Sequence, residues 1–319
     1  MQPVTVNGVR IDDTFAEAFG MRGTALIVTA DSRKWALQAA ITMTGFATSV
    51  IGCGVEAGVD AELSPDDTPD GRPGARVLMF GFTDADLQKH IQNRVGQCVL
   101  TSPGSACYAG MEGEVVLKVG DILRYFGDGW QISKRFGGKH YWRIPVMDGE
   151  FVCEGKTGAT GAAVGGGNLL LLGRDARQTL AAAEAAVEAM QGVPDVIMPF
   201  PGGIVRSGSK VGSKYKTLPA STNEAFCPTL KGAVASALDA ETRCVLEIVV
   251  DGLTSGAVAK AMRAGLAALI ERGPDKGVQR VSAGNYGGKL GAFHYHLKDL
   301  LPGRRGKVRT RARDAEPRA

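Results

Sequence analysis

Short apolar runs alternate with helical patterns along this chain, and its two halves repeat one order of elements. In the first half, the apolar run at residues 24–30 precedes a polar turn and a helix predicted from Ser32 to Gly45. Serine favours the start of a helix and glycine favours its end. In the second half, the run at 168–173 precedes a helix predicted from Ala176 to Met190. The two copies lie 144 residues apart, counted as 168 − 24.

Each half continues with a second strand, a third strand, a second helix and a fourth strand. These lie at residues 47–53, 75–82, 84–97 and 98–103 in the first half, and at 196–200, 243–252, 253–273 and 278–288 in the second. A βαββαβ order found twice predicts an α+β fold of two ferredoxin-like lobes, which are split βαβ repeats with antiparallel sheets covered by helices. We expect an N-terminal lobe over residues 1–153, a C-terminal lobe over 154–302 and a basic, disordered tail over 303–319.

Further segments complete the predicted fold. Apolar residues flank Asn7-Gly8, and an Asn-Gly pair between apolar runs is a strong hairpin signal. Residues 13–20 have the pattern of a short helix that stops at a glycine, and the turns within residues 115–154 predict a β-meander. The alternating residues 293–297 predict a last strand, which we expect to pair with the N-terminal hairpin.

Charge is distributed unevenly, and this restricts the classes of function. The chain has 319 residues, of which 44% are hydrophobic and 22% charged, as is typical of a globular protein. The net charge is +4, but residues 303–319 carry seven Lys/Arg and two acids, which is +5, so the body is 4 − 5 = −1. The body lacks a basic patch with interleaved aromatic residues, which argues against nucleic-acid binding outside the tail.

Targeting and metal-binding signals are not found in the sequence. The N-terminus does not have the charged and apolar regions of a signal peptide, and no apolar run approaches the roughly 18 residues that a membrane span needs. We therefore expect a cytoplasmic protein without membrane association. The six cysteines are scattered without a CxxC pair, and His294 and His296 have no third ligand near them in the sequence, so we expect no metal site.

The stretch at residues 199–223 interrupts both the helical and the strand patterns. It holds four Gly, four Lys/Arg and six Ser/Thr, and no acidic residue. Exposed glycine-rich backbone, hydroxyl groups and cations together suit an anionic, oxygen-rich ligand. The alternative is an ordinary solvated loop. The length of the stretch and its lack of acids favour a binding function.

Glu247 is the most unusual acid in the sequence, because it lies in a strand that is apolar on both faces. Burial disfavours the charged form of a carboxyl, and a neutral carboxylic acid can donate a hydrogen bond to a developing oxyanion. The alternative is a structural ion pair with Arg243 or with a loop lysine. A third candidate is the stretch at residues 282–291, where Asn285 and Lys289 share one short glycine-rich turn. A plain hairpin turn is the alternative there.

Other catalytic motifs are missing. Residues 165–167 are three glycines, but they precede a strand instead of following one, so they are not a dinucleotide fingerprint. The sequence has no P-loop and no GxSxG elbow, and covalent catalysis therefore has no specific support.

Several stretches, taken together, resemble the family of formylmethanofuran–tetrahydromethanopterin formyltransferases. The resemblance covers about residues 4–300 and is carried by PFPGGIV, SKVGSK, LPASTN, SAGNYGGKLG, DTPDGRPG, GQCVLTSP, FGDGWQ, IPVMDGEF, CVLEIVVDGL and NGVRIDDTFAEAF. It implies two ferredoxin-like lobes and transfer of a formyl group between the amine of methanofuran and a ring nitrogen of tetrahydromethanopterin. It further implies no metal or permanently bound cofactor, assembly into dimers of dimers, and Glu247 as the catalytic acid.

The resemblance also implies where the two carriers bind. Both carriers are large and anionic, so the cations and donors of the two glycine-rich stretches become the expected contacts. These are Gly202, Gly203, Arg206, Ser207, Ser209, Lys210, Lys214, Ser221, Asn223, Asn285 and Lys289.

The near-neutral body and the Ala- and Arg-rich composition are similar to the formyltransferase subunit of the methylotroph formyltransferase/hydrolase complex. That resemblance implies one-carbon metabolism from formaldehyde to formate, with hydrolase subunits as further partners. Two other classes of function stay open. One is a non-catalytic scaffold that binds the carriers for a formyl-hydrolase complex, and the other is RNA binding through the tail.

Overall fold

The computed structural model describes residues 2–304 and 308–310, which contain six α-helices and eighteen strands joined by turns and loops. The helices are α1 (Arg33–Thr44), α2 (Val50–Cys53), α3 (Asp84–Arg94), α4 (Gly120–Leu123), α5 (Ala176–Gln191) and α6 (Ser255–Arg272). The strands of the first half are β1 (Val4–Val6), β2 (Val9–Ile11), β3 (Phe15–Thr29), β4 (Glu56–Leu63), β5 (Gly74–Gly81), β6 (Ala106–Ala109), β7 (Val115–Lys118), β8 (Ile132–Phe136), β9 (Lys139–Val146) and β10 (Gly149–Glu154). The remaining strands are β11 (Lys156–Gly173), β12 (Val196–Ile197), β13 (Lys210–Val211), β14 (Ala220–Ser221), β15 (Cys244–Gly252), β16 (Arg280–Ser282), β17 (Phe293–His296) and β18 (Arg309–Thr310).

Strand pairing confirms the two ferredoxin-like lobes. In the first lobe the strands lie in the order β6-β3-β5-β4, and all three pairings are antiparallel. In the second lobe the order is β16-β11-β15-β12, again antiparallel throughout. Each order places the first and third strands of a βαββαβ unit in the centre of its sheet, as a ferredoxin-like fold requires.

The starting points of four helices are fixed by N-cap residues in the sequence. Helices α1, α3, α5 and α6 each begin after a residue whose side-chain oxygen accepts a hydrogen bond from a backbone N–H three residues on; these residues are Ser32, Thr83, Asp175 and Thr254. Each such cap contributes about 1 kcal/mol. Helices α5 and α6 then bury small and aliphatic side chains against β11 and β15. The predicted helices of both repeats are therefore confirmed.

Two long strands join the lobes. β3 pairs with β11 through residues 19–24, between its contacts with β17 and with the first lobe's sheet. The ladder of β11 shifts register between Val164 and Gly167, and Gly166 has φ +90°. A glycine bulge thus bends β11 at the junction of the lobes. Residues of this bulge line the cavity described below.

Three predicted elements were wrong. Residues 13–20 were expected to form a helix, but Phe15–Ala18 lie in β3 and pair with β17. The strand expected at 47–53 contains helix α2, and the strand that follows is β4. The first two residues of the strand expected at 98–103 belong instead to a π-helical turn, Val95–Val99, which continues α3. The fourth strand of the lobe is β6.

The peripheral strands also differ in part from expectation. The N-terminal hairpin forms, with positive φ at Asn7 and Gly8. Its partner is β16, however, whereas β17 pairs with β3. The meander β8-β9-β10 is present and joins the sheet through a parallel contact between β10 and β6.

The predicted tail spans residues 303–319. Within it, Arg309–Thr310 pair with Phe293 and His294 as strand β18, although disorder was expected there. Arg309 Nη2 also lies 3.3 Å from Asp299 Oδ2. Residues 305–307 and 311–319 lie outside the described residues. Among the helices that are described, none combines the length and the apolar character needed to cross a bilayer.

Candidate active site

A cavity of about 1310 Å³ lies at the junction of the two lobes. Its lining includes Glu56 and Phe82 from the first lobe and, from the second, residues of β11, β15 and the stretch at 199–223. Ligand cavities are commonly about 300–1,000 Å³. This cavity is therefore larger than the usual site of one small ligand.

Strand alternation turns Glu247 toward this cavity. Along β15, Ile248 and Val250 are buried in the core beneath the helices, whereas Glu247 and Val249 line the cavity. Successive side chains of a strand point to opposite faces, so a sequence that is apolar on both faces buries one face under helices and presents the other to the cavity. On the face that lines the cavity, Glu247 lies between the apolar residues Val245 and Val249.

The backbone of Glu247 also fixes the start of the glycine-rich stretch. On one side Glu247 pairs with Leu170 of β11. On the other side its N–H donates to Val205 O at 2.9 Å, and Val205 N–H donates to Glu247 O at 2.7 Å. These two bonds place the following residues of the stretch at the cavity beside the Glu247 carboxyl.

The Glu247 carboxyl has the properties of an acid that still holds its proton in a large share of molecules near pH 7. Burial raises its pKa from 4.5 to about 7. Within residues 2–304 and 308–310 it has no ion-pair partner, and Arg243 Nη1 donates to Ala240 O instead. The structural ion pair considered as an alternative is therefore not formed.

A second pair of carboxyls lies where the lobes meet. Asp251 is fully buried, and its carboxyl lies close to that of Glu56 of β4. Gly166 N–H donates to Asp251 Oδ1 at 2.9 Å, and Val50 N–H donates to Glu56 Oε1 at 3.1 Å. Burial raises the pKa of both carboxyls, and the charge of Glu56 raises that of Asp251 further. Both carboxyls therefore bind a proton more tightly than exposed carboxyls do.

Seven of the residues proposed from the sequence line the cavity. They are Glu247, Arg206, Ser207, Ser209, Lys210, Asn223 and Asn285. Lys210 forms an ion pair with Glu224, the first acid after the acid-free stretch. Asn285 uses its amide internally, since Nδ2 donates to Thr14 Oγ1 at 3.0 Å and to Phe15 O at 3.1 Å. These two side chains are thus already engaged within the protein.

The other five proposed residues do not line the cavity. Gly202 and Gly203 form a turn with positive φ, and Gly203 packs against helix α5, where an added Cβ would lie 2.9 Å from Val187. The Ser221 hydroxyl donates to Gly212 O at 2.7 Å and closes the β13-β14 hairpin. Lys214 and Lys289 occupy exposed positions outside the lining.

Metal binding has no candidate group in the described part of the chain. No cluster of three or more His, Cys, Asp or Glu side chains is placed there to hold an ion. His294 and His296 instead pack against Phe15, with ring centroids 4.8 and 5.0 Å away.

Two family models match this sequence. One, described as formylmethanofuran-tetrahydromethanopterin formyltransferase, covers residues 4–146, and the other, described as the proximal lobe of FTR, covers residues 149–300. The chain belongs to the formylmethanofuran–tetrahydromethanopterin formyltransferase family. The two matches meet near the end of the meander.

Relatives of known name are similar over nearly the whole chain. A subunit of the formyltransferase/hydrolase complex of Methylorubrum extorquens is 60% identical over 306 residues, which are 94% of this chain and 98% of the relative. Formylmethanofuran–tetrahydromethanopterin formyltransferase of Methylococcus capsulatus is 62% identical over 297 residues, or 93% and 99%.

Solved structures of this family share the fold. The formyltransferase/hydrolase complex of Methylorubrum extorquens, crystallised with methylofuran, contains a chain that matches with a TM-score of 0.92 and 60% identity, covering 94% of this chain and 99% of that one. The formyltransferase of Methanosarcina barkeri matches with a TM-score of 0.88 and 43% identity, covering 93% and 100%.

Several lining and neighbouring residues of this family member were not proposed from its sequence. Asp251 lies four residues after Glu247 and on the same face of β15, so its position in an apolar strand is a signal of the same kind. The glycines Gly165 and Gly166 were noted but assigned no role, and they form the bulge beside Asp251. Tyr286 lies within the candidate stretch at 282–291 but was not singled out there. Glu17 has no local signal, because its role depends on contacts with a distant part of the chain.

Proposed function

We propose that the cavity brings two formyl carriers together and that Glu247, in its neutral form, donates a hydrogen bond to the oxygen of the formyl group in transit. This chain is a formylmethanofuran–tetrahydromethanopterin N-formyltransferase of one-carbon metabolism. Its co-substrates are tetrahydromethanopterin and methanofuran, or a bacterial analogue of the latter. The observation that carries the proposal is the Glu247 carboxyl, which lines the cavity without an ion-pair partner among the described residues and has a pKa of about 7.

The reaction needs a donor at oxygen. The lone pair of the accepting nitrogen attacks the formyl carbon, and the π electrons of the C=O bond move to oxygen, which forms a tetrahedral intermediate. The proton of the attacking nitrogen is transferred to the departing nitrogen, the bond from carbon to that nitrogen breaks, and the C=O bond forms again. A well-placed donor at the oxygen stabilises such an intermediate by about 3–4 kcal/mol. Glu247 supplies this donor while it is protonated.

Proximity is the second contribution of the site. Both carriers bind in one cavity, so that transfer occurs within a ternary complex and needs no covalent enzyme intermediate. Arg206 is our main candidate for contact with an anionic group of a carrier, because it lines the cavity and has no ion pair within the described ranges. Ser207, Ser209 and Asn223 add neutral donors, whereas the positive charge of Lys210 is compensated by Glu224.

The test is an absorbance assay of formyl transfer between the two purified carriers. Glu247→Ala should lower kcat by about 10²–10³-fold, and Glu247→Gln should lower it less, because an amide still donates. The matched pair Glu184→Ala and Glu184→Gln alters an exposed glutamate of α5 and should leave kcat unchanged. Equal losses in the two Glu247 variants would contradict the donor role. A wild-type chain that binds both carriers without turnover would favour the scaffold alternative.

Assembly and location are further parts of the proposal. A homo-oligomer built as a dimer of dimers, with hydrolase subunits as further partners, is supported by the exposed apolar side chains of Trp130, Ile132 and Phe136 on and beside β8. We further propose a cytoplasmic location and a division of the chain into lobes at residues 1–153 and 154–302 and a separate basic tail. Light scattering of the wild-type chain and of Trp130→Ser/Phe136→Ser tests the assembly, and an unchanged mass would refute a role for this surface in self-association.

A further inference from the structure

The segment between β16 and β17, residues 283–292, forms one wall of the cavity. Tyr286 and Leu290 of this segment are among the lining residues. The segment contains a run of glycines, of which Gly287 and Gly288 have positive φ, so the backbone itself does little to fix its shape. Its position must therefore be fixed by contacts with other parts of the chain.

Glu17 of β3 provides these contacts. Its side chain is buried, and its carboxylate accepts four backbone hydrogen bonds from this segment. Oε2 accepts from the N–H groups of Tyr286 at 2.6 Å and Gly288 at 2.8 Å. Oε1 accepts from those of Leu290 and Gly291, both at 2.7 Å. The segment is thus wrapped around a single carboxylate.

The charge of Glu17 is maintained by the same bonds. Burial by itself would raise the pKa of the carboxyl, but the four N–H donors together outweigh burial and lower it. Hydrogen bonds to an ionised acceptor are about twice as strong as neutral ones. Since Tyr286 N–H donates the shortest of the four bonds, Glu17 holds the tyrosine directly.

The Tyr286 side chain extends from this anchored backbone, and Tyr286 lines the same cavity as Glu247. Its ring lies 6.1 Å, between centroids, from that of Phe19. Its hydroxyl lies close to the side chain of Ser209, on the stretch whose start pairs with the backbone of Glu247. Burial raises the pKa of the Tyr286 hydroxyl, and the nearby charge of Glu247 raises it further, so the hydroxyl keeps its proton.

We propose that Tyr286 is a second catalytic hydrogen-bond donor beside Glu247 and that Glu17 is the positioning residue that holds it there. This inference rests on the formyl-transfer function proposed above. An oxyanion site is most effective with two donors that are already in place, and Glu247 has only one proton to give. When the carriers bind, the Tyr286 hydroxyl donates to the formyl oxygen, and no bond other than hydrogen bonds changes at the tyrosine.

The experiment compares Tyr286→Phe, Glu17→Gln and the double variant in the formyl-transfer assay. Tyr286→Phe should lower kcat on the order of 10²-fold, as expected for loss of one oxyanion donor, and leave KM for each carrier within about twofold. Tyr295→Phe is the matched control, because it removes another buried hydroxyl, which donates to Ser255 O at 3.3 Å and does not line the cavity. It should keep the wild-type kcat.

The double variant tests the role of Glu17. Glu17→Gln replaces one carboxylate oxygen with an amide NH₂ that cannot accept, so it loosens Tyr286 and should also lower kcat. The Tyr286→Phe variant has no hydroxyl whose position Glu17 could affect. In that background Glu17→Gln should therefore change kcat by less than about threefold. If Glu17→Gln acted independently of Tyr286, it would lower kcat by the same factor in the wild-type and Tyr286→Phe backgrounds, and the two losses would multiply.

The roles of Tyr286 and Glu17 and the formyl-transfer function itself are each contradicted by a different result. A Tyr286→Phe variant with wild-type kcat would overturn the catalytic role of the tyrosine, whether or not Glu17→Gln folds. Fully multiplicative losses would overturn the positioning role of Glu17. A wild-type chain that transfers no formyl group would overturn the proposed function on which the inference rests.

Discussion

Replacing Glu247 with glutamine should make the stability of the protein less dependent on pH. The carboxyl has an ordinary pKa of 4.5 in an unfolded chain and a pKa of about 7 in the cavity, where burial disfavours its charged form. The folded state therefore binds this proton more tightly than the unfolded state does. The wild-type chain is most stable when Glu247 is protonated in both states, and this stability is lost as pH rises from 4.5 through 7. Glutamine has no proton to lose.

The size of the effect follows from the two pKa values. The two pKa values differ by about 2.5, which corresponds to about 3 kcal/mol of stability, and this is lost in full only above about pH 8. Part of this loss has already occurred at about pH 5.5, so wild type should lose about 2 kcal/mol through Glu247 between about pH 5.5 and pH 8.5. All other titrating groups are shared by the two proteins, and their contributions cancel when wild type is compared with the variant.

Urea unfolding at these two pH values is the assay. The free energy of unfolding of Glu247→Gln, relative to wild type, should rise by about 2 kcal/mol from pH 5.5 to pH 8.5. The control Glu184→Gln changes an exposed glutamate and should show no such rise. A relative stability of Glu247→Gln that is the same at both pH values would refute the reasoning that burial keeps this acid neutral.

Three further outcomes are expected. Gly165→Ala should cost about 1–3 kcal/mol in urea unfolding, because its Cβ would overlap Met21 Sδ and would lie 2.9 Å from Oδ1 of the fully buried Asp251, and an unchanged midpoint would contradict that packing. Glu56→Gln should raise the free energy of unfolding more at pH 8.5 than at pH 5.5, because the pKa of this buried carboxyl is raised; a larger gain at pH 5.5 would speak against it. Arg206→Ala should raise KM for an anionic carrier, and added salt should reduce the difference from wild type. Lys214→Ala, outside the cavity lining, should have a smaller effect, and equal effects would count against Arg206 as the main contact.

The central elements of the fold could be predicted from local sequence. Helices α1 and α6 begin after Ser32 and Thr254, which are capping residues, and the apolar runs before them are the strands β3 and β15. Where prediction failed, contacts with distant residues decided the structure. Residues 15–18 have no strand alternation of their own, and they are extended because they pair with residues 293–296. The short run Val50–Cys53 is compatible with either a strand or a helix. It forms a helix that begins after Ser49 and ends at Gly54, which is in the left-handed conformation.

The candidate site divides in the same way. Glu247 could be proposed because a carboxyl in an apolar strand is unusual whatever surrounds it. Glu17 could not, because its four hydrogen bonds reach residues about 270 positions away along the chain. The glycine-rich stretch was recognised, but composition did not distinguish Arg206, which lines the cavity, from Lys214, which does not. That distinction depends on the two backbone bonds between Val205 and Glu247.

The pH dependence of kcat tests the neutral-acid role of Glu247 most directly. It should be measured for wild type and Glu247→Gln with both carriers saturating. The wild-type kcat should fall as pH rises through about 7, because the carboxyl then loses the proton that it donates. The fall should be absent in Glu247→Gln, whose amide donates at every pH. A wild-type kcat that rises over the same range, as a carboxylate base would require, or an equal fall in both proteins, would contradict the neutral-acid role.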